Sequence, residues 1–216
     1  MIVLKNEKVS AYTHGALIPV MAAGTIILAI LAGSNIQLQI FSLIYGLSAI
    51  TLFTASFLYH AKKKHENERS IWRKLDRSAI FILIAGTSAP LCFLYLQGPI
   101  KWWIIAVQWL FVMSGIVFVF FINAPRKIST LVYLLMGWVV TIPLKSMVTA
   151  MPMSIIILLF AGGFFYIAGA VVYAVKKPNP LPPHMGFHEV FHVFVIAGAV
   201  FHMCMVINGV AVYTLS

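Results

Sequence analysis

Residues 38–59 read LQIFSLIYGLSAITLFTASFLY, an unbroken run without one charged side chain. Crossing the hydrocarbon core of a bilayer takes about 20 predominantly apolar residues, and this run supplies them. His60 and a strongly basic break follow. Six further stretches have the same character: 16–33, 75–96, 102–122, 128–147, 153–175 and 187–213. The breaks carry turn chemistry, as in Gly33-Ser34-Asn35, Gln97-Gly98-Pro99, Asn123-Ala124-Pro125, Met151-Pro152 and the Pro-rich segment 176–184. The connections are short, so consecutive helices should be antiparallel neighbours. Trp72, Trp102, Trp103 and Trp138 fall near span ends, as an interfacial aromatic belt requires. The expected fold is all-α, a seven-transmembrane-helix bundle forming one domain over residues 1–216.

Composition points the same way. Apolar residues make up 62% of the 216 positions and charged residues 9%, against roughly 25% charged in an ordinary soluble domain. A soluble fold of this size would expose large apolar patches. The formal charge of +10 does not indicate a nucleic-acid partner, because the basic residues sit in short breaks between apolar runs rather than along one face. The expected partners are membrane lipids. Cys92 and Cys204 lie in apolar runs and read as small packing residues, not as a disulfide framework. Lys5 and Lys8 precede an apolar run somewhat long for a signal peptide, and the segment is read as an uncleaved first helix.

Charge orients the bundle. With seven spans and the N-terminus in the cytoplasm, thirteen of the fifteen basic residues fall inside and only Lys101 and Lys145 outside. The positive-inside rule favours that arrangement, with the C-terminus outside. All five acidic residues, Glu7, Glu66, Glu68, Asp76 and Glu189, fall on the same side.

Ionisable residues within or at the ends of spans are costly and call for a reason. His60 ends the second span, Asp76 begins the third, and His188 and His192 begin the seventh. The alternation of directions brings all four to one depth, near the cytoplasmic face. His188 and His192 stand at i and i+4, on one helix face. With His60 they make three imidazoles, the ligand number of a catalytic zinc site that keeps a fourth position open. Asp76 is placed to hold or deprotonate a water there, and Ser56, four residues before His60, shares its face. The alternative is that these histidines are hydrogen-bonded packing residues. A competing pattern is His188-Glu189-Val190-Phe191-His192, which matches the H-E-x-x-H helix of zinc proteases with Glu189 as base. Glu189 also reads as a carboxylate favoured by the helix dipole.

At these residues the sequence resembles the hemolysin III branch of the progestin and adiponectin receptor (PAQR) family. The resemblance rests on three blocks: Ser56-Phe57-Leu58-Tyr59-His60; Leu75-Asp76-Arg77-Ser78-Ala79-Ile80-Phe81 with Ile84-Ala85-Gly86-Thr87 and Pro90; and Gly186-Phe187-His188-Glu189-Val190-Phe191-His192 with Ala197-Gly198-Ala199 and His202. It implies seven helices with the N-terminus inside, zinc held by His60, His188 and His192, Asp76 bound through a water, and Ser56 nearby. A wider group that includes alkaline ceramidases suggests hydrolysis of lipid amides, and bacterial members are linked to haemolysis and membrane-lipid homeostasis. The short tail before the first span argues against a hormone-receptor role.

Three functions are therefore in play: a zinc-dependent hydrolase of a lipid amide or ester, a membrane-state sensor with structural zinc, and a pore-forming cytolysin. His65 reads as a solvated loop residue, and His14 as an interfacial imidazole at the start of the first helix. His184 follows two prolines and is left out of the ligand set. His202, about 15 Å beyond His192 along the helix, reads as a buried contact within the bundle. Gly86, Pro90, Gly162, Gly163, Gly169 and Gly198 read as close-packing or kink positions, and Lys145 as a side chain reaching the outer interface.

Overall fold

The computed structural model describes residues 5–65, 68–122, 126–181 and 185–215. Among them the regular elements are helices: α1 (Lys5–Ala32), α2 (Ile36–Lys62), α3 (Ile71–Tyr95), α4 (Ile100–Val117), α5 (Arg126–Val139), α6 (Leu144–Ala150), α7 (Met153–Val175) and α8 (Phe187–Leu215). Six are individually long and apolar enough to cross a bilayer. The pair α5 and α6 passes only together, bent by 54°, and makes a seventh span if it is counted as one. The fifth stretch, expected to be continuous over 128–147, is thus broken. Pro143 explains the break, because its ring clashes with the carbonyl four residues back, which belongs to Val139, the last residue of α5.

Local chemistry sets the other ends. The Leu38 amide donates to Asn35 Oδ1 at 3.1 Å and caps α2. Ser70 Oγ accepts from the Arg73 amide and caps α3. Both side chains take up amides that have no partner within their own helix. The first helix begins at Lys5 rather than near residue 16, so the charged segment before the apolar run is helical. The last turn of the fourth span, Phe118–Ile122, is wound as a π-helix, and Lys74 Nζ donates to the Phe120 carbonyl there at 2.9 Å.

The helices pack mainly on sequence neighbours, α1 on α2, α2 on α3, α3 on α4 and α7 on α8. The long-range closure is α8, which lies against α1 and touches α3. Of the long helices, α3 is the most buried and α7 the least. The main apolar core runs between α1, α2, α3 and α8 around Met21, Tyr45, Phe53 and Met205. A smaller cluster of Phe81, Val112 and Met136 joins α3, α4 and α5. Large apolar side chains such as Ile30, Trp103, Phe121 and Phe164 point outward, the surface that lipid rather than water accepts.

Small residues allow the closest approaches. A Cβ on Gly86 would lie 2.2 Å from Ser48 Oγ, and one on Gly162 would lie 2.2 Å from the His202 ring. These two positions bear out the close-packing reading, whereas Gly163 faces open space. Gly86→Ala should overpack the contact between α2 and α3 and destabilise the protein by about 1–3 kcal/mol. Adding Ser48→Gly should recover most of that loss. Thermal unfolding in detergent of the two variants and the parent checks both outcomes.

Candidate metal centre

The three imidazoles named from the sequence come together. His60 lies in the last turn of α2, fully buried, while His188 and His192 lie in the first two turns of α8, half-buried and buried respectively. Ring centroids are 5.1 Å apart for His60 and His188, 4.8 Å for His60 and His192, and 4.6 Å for His188 and His192. One ring nitrogen from each lies within 4.8 Å of the other two, so the group could hold a metal ion. The Nε2 atoms of His60 and His188 stand 3.4 Å apart. Nitrogens bound tetrahedrally to zinc at about 2.0–2.1 Å stand about 3.3 Å apart. That pair already has a ligand-to-ligand spacing, and His192 needs a modest shift to complete it. The donor set of neutral nitrogens suits a borderline-soft divalent ion better than a hard one.

Around the triad are groups that no spacing rule had singled out. Glu7, in the first turn of α1, is buried and places Oε2 at 2.5 Å from His60 Nδ1. Its Oε1 accepts from Lys63 Nζ. Ser10 Oγ, one turn further along α1, donates to Glu189 Oε1 at 3.1 Å. His14, read as interfacial, is instead buried and stacked on His192 with centroids 3.9 Å apart. Glu7, Ser10 and His14 are spaced i, i+3 and i+7, one helix face. That polar spacing was the available signal, and it stood in a segment read as a charged tail.

The two candidate acids have different surroundings. Both oxygens of Glu189 are engaged, Oε1 with Ser10 and Oε2 with the Gly186 amide at 2.8 Å. The second contact reaches back to the residue preceding α8, half of a capping box. Asp76 stands at the start of α3 with Ser56, His60, Arg73 and Arg77 close enough to act on its charge. Its oxygens lie outside the mutually close imidazole group.

The remaining histidines separate. His65 is exposed, and His184 lies outside the described residues. His202 faces the Leu159 carbonyl at 3.4 Å and stacks edge-on against Tyr166, a contact between α7 and α8 well away from the triad. In the exposed loop beside the centre, the Lys64 amide donates to Glu68 and holds that carboxyl below the usual carboxylate range.

Comparison with known proteins agrees with the hemolysin III resemblance. A family model described as haemolysin-III related matches residues 2–203. Hemolysin-3 of Bacillus cereus is 32% identical over 199 residues, covering 91% of this chain and 88% of its own. A hemolysin-3 homolog of Bacillus subtilis (strain 168) is 34% identical over 221 residues, covering 100% of both.

Replacing any one of the imidazoles (His60→Ala, His188→Ala or His192→Ala) should reduce bound metal from about one ion per chain, the count for a single three-ligand site, to near zero. His202→Ala should leave the metal content unchanged. Elemental analysis of protein purified without chelator reads the difference.

Proposed function

The chain belongs to the haemolysin-III related family, and from that premise we propose that this multi-pass membrane protein is a zinc-dependent hydrolase of a lipid amide or ester, acting in membrane-lipid homeostasis. The observation that carries the reading is a triad of convergent imidazole nitrogens beside a carboxyl, Asp76, that neighbours Ser56 and His60 and takes no part in the cap of its helix. Three protein ligands leave room for a reacting group, as catalytic zinc sites do. Zinc bound there would supply a polarised carbonyl and an acidified water. Asp76 is the residue to accept and return the proton. Ser56, its neighbour, is the hydroxyl to steady that carboxyl or to help position a substrate carbonyl. Glu189, with its oxygens engaged by Ser10 and Gly186, anchors the start of α8. That disfavours the zinc-protease reading.

The same proposal places the N-terminus and the triad on the cytoplasmic side. Its support is the distribution of basic residues, thirteen of fifteen on the side that carries His60, His188 and His192. A second reading has its own observation. The triad bridges α2 and α8, which make little direct contact otherwise, so a metal there would also tie the bundle together. In that case the protein is a sensor or regulator with structural zinc. A lytic role has only the relatives' names behind it, and the outward apolar surface fits a resident of the membrane better than a secreted pore-former.

Asp76→Asn should abolish lipid turnover while the protein keeps its zinc and its fold. Glu189→Gln should lower thermal stability yet retain turnover. Lipid profiles of cells carrying each variant, with zinc content of the purified proteins, separate the readings. Unchanged lipid profiles on loss of the whole protein, together with a large fall in melting temperature when zinc is removed, would assign the metal to structure.

A further inference from the structure

A neutral imidazole carries one N–H, and a metal ligand must offer the other nitrogen's lone pair. Which nitrogen is free depends on what the ring donates to. For His60 the structure gives a definite answer. Nδ1 lies 2.5 Å from Glu7 Oε2, and an ionised carboxylate only accepts hydrogen bonds. Nδ1 therefore bears the proton, and Nε2, facing His188 Nε2 at 3.4 Å, is left with its lone pair toward the triad.

The carboxylate is itself held. Lys63 Nζ donates to its second oxygen, and Lys63 follows His60 by three residues at the end of α2. Lys63, Glu7 and His60 thus form a short hydrogen-bonded chain, with Glu7 and His60 both buried. Glu7 belongs to neither ligand-bearing helix. It arrives from α1, whose face also meets Glu189 through Ser10 and His192 through His14.

We propose that Glu7 is a positioning residue for the metal centre. It fixes the tautomer and ring direction of His60, so the first turns of α1 are a working part of the site. The proposal rests on the reading of the triad as a metal site. It predicts that a chain lacking the Glu7 carboxylate keeps all three ligands and still binds metal poorly.

Zinc affinity of the full chain in detergent, measured by competition with a chromophoric chelator, tests it. Glu7→Leu, which removes the acceptor, should weaken zinc binding by about 10–100-fold, the usual effect of losing such a partner. Glu7→Gln, whose side-chain oxygen can still accept, should recover part of the loss. Nitrogen-15 spectra of metal-free, histidine-labelled protein supply a readout that does not depend on zinc. The His60 ring should be the Nδ1–H tautomer in the parent and should shift toward the Nε2–H form in Glu7→Leu. Melting temperatures of the metal-free variants identify any that fail to fold, and Glu7→Gln remains decisive if Glu7→Leu does. Parent-like zinc affinity in the folded variants overturns the proposal. A parent chain that binds no zinc overturns the metal reading instead, so the two failures are distinct.

Discussion

His60 is an imidazole closed off from solvent at the end of an apolar helix, with a neighbour at each ring nitrogen: Glu7 at Nδ1 and His188 at Nε2. An imidazole cannot be left unpaired in such surroundings without cost. Satisfying both edges requires the start of α1, the end of α2 and the start of α8 to meet at one level. The packing of the bundle conforms, with α1 lying between α2 and α8. Neutralising the buried Glu7 carboxylate in turn draws in Lys63, and the start of α8 is fastened to α1 by the contact between Ser10 and Glu189. The polar groups at this end depend on one another, joined by hydrogen bonds and ring contacts that run between α1, α2 and α8.

Much of the architecture was legible because hydropathy is an additive signal. Apolar runs long enough to span declared themselves, and alternating directions then brought residues distant in sequence to one level. His60, His188 and His192 were found in that way, two of them by the i, i+4 period alone. Glu7 was not found, because a window average over residues 5–15 sees two lysines, a glutamate and several polar side chains and registers a tail. The structure makes the segment helical, beginning about three turns before the expected start. What decides the matter is the face on which Glu7, Ser10 and His14 sit, and an average does not preserve faces. The break after Val139 was missed although its cause, Pro143, was in view. Glu189 shows a converse limit, since a motif places residue types but not hydrogen bonds, and its oxygens turn out to be engaged at the helix start.

The division between Asp76 and Glu189 shows how a site can hold two carboxylates without giving both the same work. Each begins a helix within reach of histidines. One accepts the Gly186 amide and the Ser10 hydroxyl and so fixes backbone. The other has a hydroxyl, an imidazole and two guanidinium groups as neighbours and no part in a helix cap. Environment separates the two, not residue type or depth.

The basic residues of the charged end have a role beyond their count. Lys62 Nζ lies 3.6 Å above the Trp72 ring, Lys74 donates to the π-turn carbonyl of Phe120, and Arg77 donates to Ser129 while its own carbonyl accepts from Tyr133. These contacts cross from α2 to α3, from α3 to the end of the fourth span, and from α3 to α5. The cations of this end are cross-braces of the folded bundle. A lysine or arginine removed here would therefore alter the stiffness of the assembled bundle, and charge edited at these positions would bring altered mechanics with it.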